Sequence, residues 1–141
     1  MRLQLALNVR DIDEAVDYYS RLFDSPPHKR RPGYANFAIS QPPLKLVLFE
    51  NPGAPELLNH LGVEVQDADT LQCVASRLEQ SGLLESLEQG RTCCHAEQDK
   101  VWSRDLQGLR WEWYRITDDT PEVARQTPIG RCCTGAATES C

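Results

Sequence analysis

Long apolar runs are missing from this sequence, and its N-terminus lacks a basic stretch followed by an apolar one. A membrane-spanning helix needs roughly 20 consecutive apolar residues, and a signal peptide needs that N-terminal pattern, so neither is predicted. Basic residues are also few, because 15 Lys and Arg stand against 21 Asp and Glu. The net charge of -6 argues against nucleic acid or an anionic membrane surface as a partner. We expect a cytoplasmic protein.

The evenly spread cysteines of a secreted disulfide framework are absent as well. The six cysteines stand at 73, 93, 94, 132, 133 and 141, so four of them form adjacent pairs. Adjacent cysteines rarely bond to each other, because the ring that closes is strained. The cysteines are therefore predicted to be reduced thiols. At 141 residues and 40% hydrophobic content, the chain has the size of one globular domain with a real core.

One pattern of strand and helix signals occurs twice, at an offset of 56 residues that places Leu5 on Leu61 and Asp11 on Asp67. Residues 3–9 and 58–65 alternate apolar and polar side chains, as half-buried strands do. Asp11 and Asp67 follow these strands as N-caps of amphipathic helices. Further strands are predicted over 34–40, 44–50, 84–88, 100–104 and 109–116. The sequence thus predicts an α+β domain of two βαβββ modules.

The predicted modules cover residues 1–116, the first about 1–54 and the second about 55–116. Each module buries the apolar face of its strands under its own helix, so we expect the polar faces of two sheets to enclose a shared cavity. Residues 117–141 have little apolar periodicity and are predicted to form a flexible tail that contains Cys132, Cys133 and Cys141. Two hypotheses stay open for these cysteines: a thiol arm that exchanges a soft metalloid, or an unselected tail.

Three polar side chains fall in mid-strand on the face predicted to line that cavity: Gln4, His60 and Glu112. The offset of 56 places Gln4 on His60, while Asn59 is expected on the covered face. An amide oxygen, an imidazole and a carboxylate would leave about three positions of an octahedral divalent ion open for substrate and oxygen. The alternatives are a satisfied core histidine and a solvated glutamate.

Residues 92–100 (TCCHAEQDK) place adjacent cysteines among polar groups. In a regular strand the two side chains would point to opposite faces, so joint binding of one soft atom by Cys93 and Cys94 predicts a loop here. The alternative is that the cysteines are small hydrophobic residues of the core. Lys100 and Glu97 are candidates for a charge or a proton relay, and a surface role for both is equally open.

The segments LQLALNV, RPGYANFAI, PPLKLVLFENPG, LNHLGVEV and TCCHAEQDKVW followed by WEWY resemble the organoarsenical carbon-arsenic lyases and cadmium-induced proteins. These belong to the vicinal oxygen chelate superfamily, which includes glyoxalases, bleomycin resistance proteins and extradiol dioxygenases. The similarity runs from about residue 3 to residue 115. It implies the vicinal oxygen chelate fold, and a homodimer is the family expectation.

The resemblance also implies chemistry. It points to Fe(II)-dependent, O2-consuming cleavage of the carbon-arsenic bond in trivalent methyl or aryl arsenicals, with arsenite as product. Gln4, His60 and Glu112 would be metal ligands, and Cys93 and Cys94 would bind arsenic. Two thiolates suit arsenic that carries one carbon substituent, because two exchangeable positions remain on it. Two other functions stay open: a non-catalytic, thiol-rich binder of cadmium or arsenic, and a superfamily member acting on some other small molecule.

Overall fold

The computed structural model describes residues 1–93 and 96–119, and these form two βαβββ modules. The first module comprises β1 (Arg2–Val9), α1 (Ile12–Leu22), β2 (Lys29–Arg31), β3 (Tyr34–Ile39) and β4 (Leu44–Glu50). The second comprises β5 (Leu58–Glu64), α2 (Ala68–Gln80), β6 (Leu84–Cys93), β7 (Ala96–Arg104) and β8 (Arg110–Asp118). The predicted α+β class and module order are confirmed. Sequence analysis did not locate β2, because three basic residues show no alternation.

Both helices begin where the repeated aspartates predicted. The Asp11 side chain accepts hydrogen bonds from the backbone N–H groups of Asp13 and Glu14, each at 2.9 Å. The Asp67 side chain accepts one from Thr70 N–H at 2.7 Å. These bonds satisfy backbone donors that the first turn of a helix leaves without a partner. The sequence offset that relates Asp11 to Asp67 therefore corresponds to a repeat in the structure.

The strands of both modules join in one eight-stranded sheet, in the order β2-β3-β4-β1-β5-β8-β7-β6. Within the modules, β1 pairs with β4 and β5 pairs with β8 in parallel. Between them, β1 pairs with β5 in antiparallel orientation. The modules thus share one continuous sheet, where sequence analysis expected two. Their first strands could pair because each is flanked by a partner on one side only within its own module.

An ion pair shows that this sheet is strongly curved. Five strand-to-strand steps separate β2 from β8, which is about 24 Å in a flat sheet. Yet Lys29 Nζ on β2 lies 2.9 Å from the Asp119 carboxylate and 2.6 Å from its carbonyl, directly after β8. The sheet therefore curls until its two modules face each other across the side opposite the helices. This curvature encloses the polar face, as the predicted shared cavity requires.

The helices pack on strands to either side of the central β1–β5 pair, which changes the burial expected for β1. Helix α1 packs on β3 and β4, and α2 packs on β6, β7 and β8. Leu5, Leu7 and Val9 of β1 are only partly buried on the helix side. Gln4, Ala6 and Asn8, on the enclosed side, are buried instead. Because β1 lies at the joint between the helices, its polar face is the better shielded one. No helix in residues 1–93 and 96–119 has the length and apolarity to cross a membrane.

The cysteine stretch differs from the predicted loop. Strand β6 continues to Cys93, whose backbone pairs with Ala96 at the start of β7. The strand prediction stopped too early because a bulge around Gly90 interrupts the alternation, and pairing resumes beyond it. Cys94 and His95 lie outside the described residues, as do Cys132, Cys133 and Cys141. The domain boundary at 116 stays a prediction, although β8 itself runs to Asp118.

Candidate metal centre

The three predicted metal ligands meet on the enclosed face, on three neighbouring strands. Gln4 lies on β1, His60 on β5 and Glu112 on β8, and all three side chains are buried. His60 Nε2 lies 3.2 Å from Gln4 Nε2 and 3.2 Å from Glu112 Oε1. The Gln4 amide nitrogen also donates a short hydrogen bond to Glu112 Oε1. The parallel and antiparallel registers bring together residues that are up to 108 positions apart in the chain.

A glycine between the ligands makes this convergence feasible. Gly62 on β5 pairs with Gln4 on one side and with Glu112 on the other. A Cβ atom at Gly62 would lie 2.8 Å from Glu112 Cγ and 3.3 Å from Gln4 Nε2. Any larger residue would therefore fill the space into which the two side chains lean. Gly62 was not among the predicted site residues, although a glycine inside a strand often marks such a close approach.

Lys100 adds a positive charge to the same cluster. Its Nζ donates a hydrogen bond to Glu112 Oε2 at 3.1 Å, and the Lys100 side chain is only 4% exposed. Burial raises the pKa of Glu112, but Lys100 and His60 outweigh burial and lower that pKa from 4.5 to about 2. Glu112 is therefore a carboxylate at neutral pH. One oxygen contacts Lys100, and the other faces Gln4 and His60.

The donor set fits a divalent metal ion. An amide, an imidazole and a carboxylate that meet through single atoms, in a buried place, are the hard and borderline ligands that Fe(II), Mn(II) or Zn(II) accept. No group of three His, Cys, Asp or Glu side chains converges within residues 1–93 and 96–119. The cluster contains only two side chains of these four types, because its third member is Gln4. Toward a metal, Gln4 would turn its amide oxygen to the position that its amide nitrogen occupies here.

The His60 ring contacts two aromatic rings and one amide oxygen. Its ring meets Trp102 edge-on at a centroid distance of 5.5 Å and lies 6.5 Å from the Phe49 ring. Its Nδ1 lies 2.7 Å from Asn59 Oδ1. The prediction that Asn59 belongs to the covered face was wrong, because its side chain contacts His60 and Asn8, which lie on the enclosed face. The reason is a β-bulge: Ala6 pairs with His60 and Leu7 with Leu58, which leaves Asn59 unopposed by β1.

A second polar network lies farther along the same strands. Glu64 accepts hydrogen bonds from Arg2 at 2.8 Å and from the Tyr114 hydroxyl at 2.9 Å. Lys45 Nζ lies 3.8 Å from the same carboxylate and 5.0 Å from the centre of the Tyr114 ring. Burial raises the pKa of Glu64, yet Arg2 and Lys45 bring that pKa below its usual value. This network pairs the Glu64 carboxylate with two cations on the same sheet.

Strand β7 connects the ligand cluster to the cysteine stretch. Four buried side chains alternate along β7: Ala96, Gln98, Lys100 and Trp102. Trp102 pairs with Glu112 and Ala96 pairs with Cys93, so the row leads from the predicted metal ligands to the last residue of β6. Glu97 lies between two members of this row, and its carboxylate accepts a hydrogen bond from Thr117 at 3.0 Å. Of the two residues considered for a charge or a proton relay, Lys100 is the one that contacts Glu112.

Comparison with known proteins identifies the superfamily of the chain. Residues 3–113 match the model of the Glyoxalase/Bleomycin resistance protein/Dioxygenase superfamily. The chain is 56% identical over 119 residues to the cadmium-induced protein CadI of Mycobacterium tuberculosis, covering 84% of this chain and 78% of that protein. It is 47% identical over 134 residues to the trivalent organoarsenical cleaving enzyme of Thermomonospora curvata, covering 94% and 88% of the two chains.

Solved structures agree on the fold. A glyoxalase/bleomycin resistance protein/dioxygenase superfamily member from Vibrio splendidus superposes with a TM-score of 0.56 at 14% identity, over 82% of this chain and 97% of that one. A catechol 2,3-dioxygenase superposes with a TM-score of 0.55 at 18% identity, over 84% of this chain and 41% of that one. With two βαβββ modules, a shared polar face and relatives of this kind, the chain belongs to the glyoxalase/bleomycin resistance protein/dioxygenase superfamily.

Proposed function

We propose that this protein is an Fe(II)- and O2-dependent lyase that cleaves the carbon-arsenic bond of trivalent organoarsenicals and releases arsenite. The observation that carries the proposal is the convergence of Gln4, His60 and Glu112 on one buried face. Sequence identity of 47% to a protein named trivalent organoarsenical cleaving enzyme supports the substrate class. Three protein donors leave coordination positions open for small molecules.

In this proposal the metal ligands have separate tasks. His60 would bind the metal through Nε2, Glu112 through Oε1, and Gln4 through its amide oxygen. Lys100 holds the other oxygen of Glu112 at 3.1 Å, which favours binding of the metal through a single carboxylate oxygen. Bound Fe(II) would supply the one-electron steps that allow ground-state O2 to react with carbon.

Cys93 and Cys94 would hold the substrate through two arsenic-sulfur bonds. Soft thiolates select arsenic, whereas the N and O donors select iron, so the two kinds of ligand separate metal from substrate. Cys93 ends β6, and the buried row on β7 leads from there toward Lys100 and Trp102. The thiols would keep the carbon-arsenic bond in place, which is catalysis by positioning.

The stoichiometry needs O2 and no other oxidant. For a methyl substituent, S2As–CH3 and O2 give S2As–OH and formaldehyde, and water or a small thiol then releases arsenite. Arsenic stays trivalent, the carbon atom is oxidised, and O2 accepts all of its electrons. One hydrogen leaves carbon and ends on the oxygen attached to arsenic. We assign the transfer of this proton to Lys100 Nζ, the buried amine beside Glu112.

A comparison of two metals tests the proposal. The protein is reconstituted with Fe(II) without oxygen, loaded with methylarsonous acid, and then exposed to O2. We expect arsenite to appear in equal amount to the O2 consumed. Zn(II) is the matched control, because it accepts the same donors but has no redox chemistry. Equal arsenite release with Zn(II), or release without O2 uptake, would contradict the proposal.

A non-catalytic binder is the second candidate, favoured by 56% identity to a protein named cadmium-induced protein. Its thiols would sequester cadmium or arsenic, and the Fe(II)-loaded protein would then bind methylarsonous acid without releasing arsenite. The same experiment therefore separates the two functions. A cytoplasmic location and a homodimer stay predictions.

A further inference from the structure

Behind His60, a chain of hydrogen bonds runs away from the metal centre and ends at the backbone. The His60 Nδ1 atom lies 2.7 Å from Asn59 Oδ1. The Asn59 amide nitrogen donates to Asn8 Oδ1 at 3.0 Å. The Asn8 amide nitrogen donates to the carbonyl of Glu56 at 3.0 Å. Two asparagines from different modules thus join the His60 ring to one peptide group.

The direction of this chain follows from its last member. A backbone carbonyl can only accept, so Asn8 must present its NH2 group to Glu56 and its oxygen to Asn59. Asn59 must then present its own NH2 group to Asn8 and its oxygen to His60. Facing an acceptor, His60 Nδ1 must carry a hydrogen. The Glu56 carbonyl cannot donate, so it fixes the orientation of both side-chain amides in this chain of hydrogen bonds.

We infer that Asn59 and Asn8 are positioning residues that hold the hydrogen of His60 on Nδ1 and so reserve Nε2 for the metal. The inference rests on the metal centre of the proposed function. The bulge in β5 is what aims Asn59 at the ring, because regular alternation would send its side chain to the other face. Metal-binding histidines commonly have such a partner, which fixes the ring nitrogen that binds.

Four proteins test the inference: wild type, Asn59→Ala, Asn59→Asp and Asn8→Ala. Gln66→Ala is the control, because Gln66 is an exposed residue two positions after the end of β5. The Asn59→Asp variant keeps a side-chain oxygen for Nδ1–H, whereas the Asn59→Ala variant has none. Asn8→Ala removes the far end of the chain without touching His60, and it is informative even where Asn59→Ala folds poorly.

The first measurement needs neither metal nor turnover. In metal-free protein with 15N-labelled histidine, we expect a His60 Nδ1–H signal protected from exchange in the wild type, in Gln66→Ala and in Asn59→Asp. We expect this signal to be lost in Asn59→Ala and weakened in Asn8→Ala. A wild-type spectrum in which Nδ1 carries no hydrogen would overturn the inference.

The second measurement is Co(II) affinity. Loss of a partner behind a metal-bound histidine typically weakens binding by about 10- to 100-fold. We expect that loss for Asn59→Ala, a smaller one for Asn8→Ala, and wild-type affinity for Asn59→Asp. Wild-type affinity and an unchanged Nδ1–H signal in Asn59→Ala would overturn the inference. If the wild type did not bind Co(II) but showed the expected Nδ1–H pattern, the metal centre would be refuted. The hydrogen bonds of His60 through Asn59 and Asn8 would still be supported.

Discussion

Gly62→Ala is the smallest change that should disturb the ligand cluster without altering any ligand. Nonbonded carbon atoms in contact lie about 3.5–4.0 Å apart. The added Cβ would lie only 2.8 Å from Glu112 Cγ, so one of them must move by about 1 Å. Glu112 is 2% exposed and is tied to Lys100 on its far side, which leaves it little room to retreat.

The expected effect has three parts. Forcing an extra carbon into a filled space costs about 1–3 kcal/mol of the free energy of unfolding. Metal ligands must be held to about 0.5 Å, so a 1 Å shift of Glu112 should weaken Co(II) binding clearly. Misplacement of reacting groups by about 1 Å can lower turnover about 100-fold. We expect all three losses in Gly62→Ala.

Gly53→Ala is the matched control, because a Cβ at Gly53 would meet nothing within 4 Å. Neither glycine has a positive φ, so backbone strain does not separate the two variants. Urea unfolding of the metal-free proteins gives the stability difference, and Co(II) titration gives the affinity. We expect Gly53→Ala to match or slightly exceed wild-type stability. Gly62→Ala with wild-type stability and wild-type Co(II) affinity would refute the steric argument.

Three further outcomes follow from the same contacts. Gln4→His should retain activity and bind Fe(II) more tightly than the wild type in a direct titration, because imidazole is a better donor to Fe(II) than an amide oxygen. Complete inactivity of the folded variant would count against Gln4 as a ligand. Because the pKa of Glu112 falls from 4.5 to about 2 on folding, its contribution to stability is present above pH 4.5 and disappears as the pH falls toward 2. Lys100→Met should move this loss to higher pH in urea unfolding of the metal-free protein, and an unchanged profile would argue against the ion pair. A chain ending after Asp119 keeps the contact between Asp119 and Lys29 and should have the turnover of the full chain in excess small thiol. Mass spectrometry should show that it binds fewer cadmium ions than the full chain. Equal cadmium stoichiometry would mean that the later cysteines take no part.

Local patterns predicted the fold and the shared face of Gln4 and His60 because both follow from the repeat. Alternation on the first strand of each module, followed by a capping aspartate, is readable without knowledge of distant contacts. The same register that aligned Asp11 with Asp67 placed Gln4 on His60, and the structure brings these two side chains within 3.2 Å. Glu112 followed from its place between two tryptophans on an alternating strand.

What could not be predicted depends on departures from that regularity. Asn59 was assigned to the wrong face because a bulge interrupts the alternation that the prediction assumed. Gly62 acquires its role only once β1 and β8 lie on either side of it. The curl of the sheet is visible only in a contact such as Lys29 with Asp119, which no local pattern encodes. Sequence patterns thus predict which residues share a face, and long-range pairing decides what they touch.

The central claim is that metal binding and substrate binding are performed by different residues, and it is tested by measuring arsenical binding and turnover on the same variants. His60→Ala, reconstituted with Fe(II), should still bind methylarsonous acid in mass spectra while arsenite release is abolished. The double variant Cys93→Ser and Cys94→Ser should lose the arsenical but still bind Co(II). Parallel loss of arsenical binding and turnover in His60→Ala, or undiminished arsenite release from it, would contradict the account.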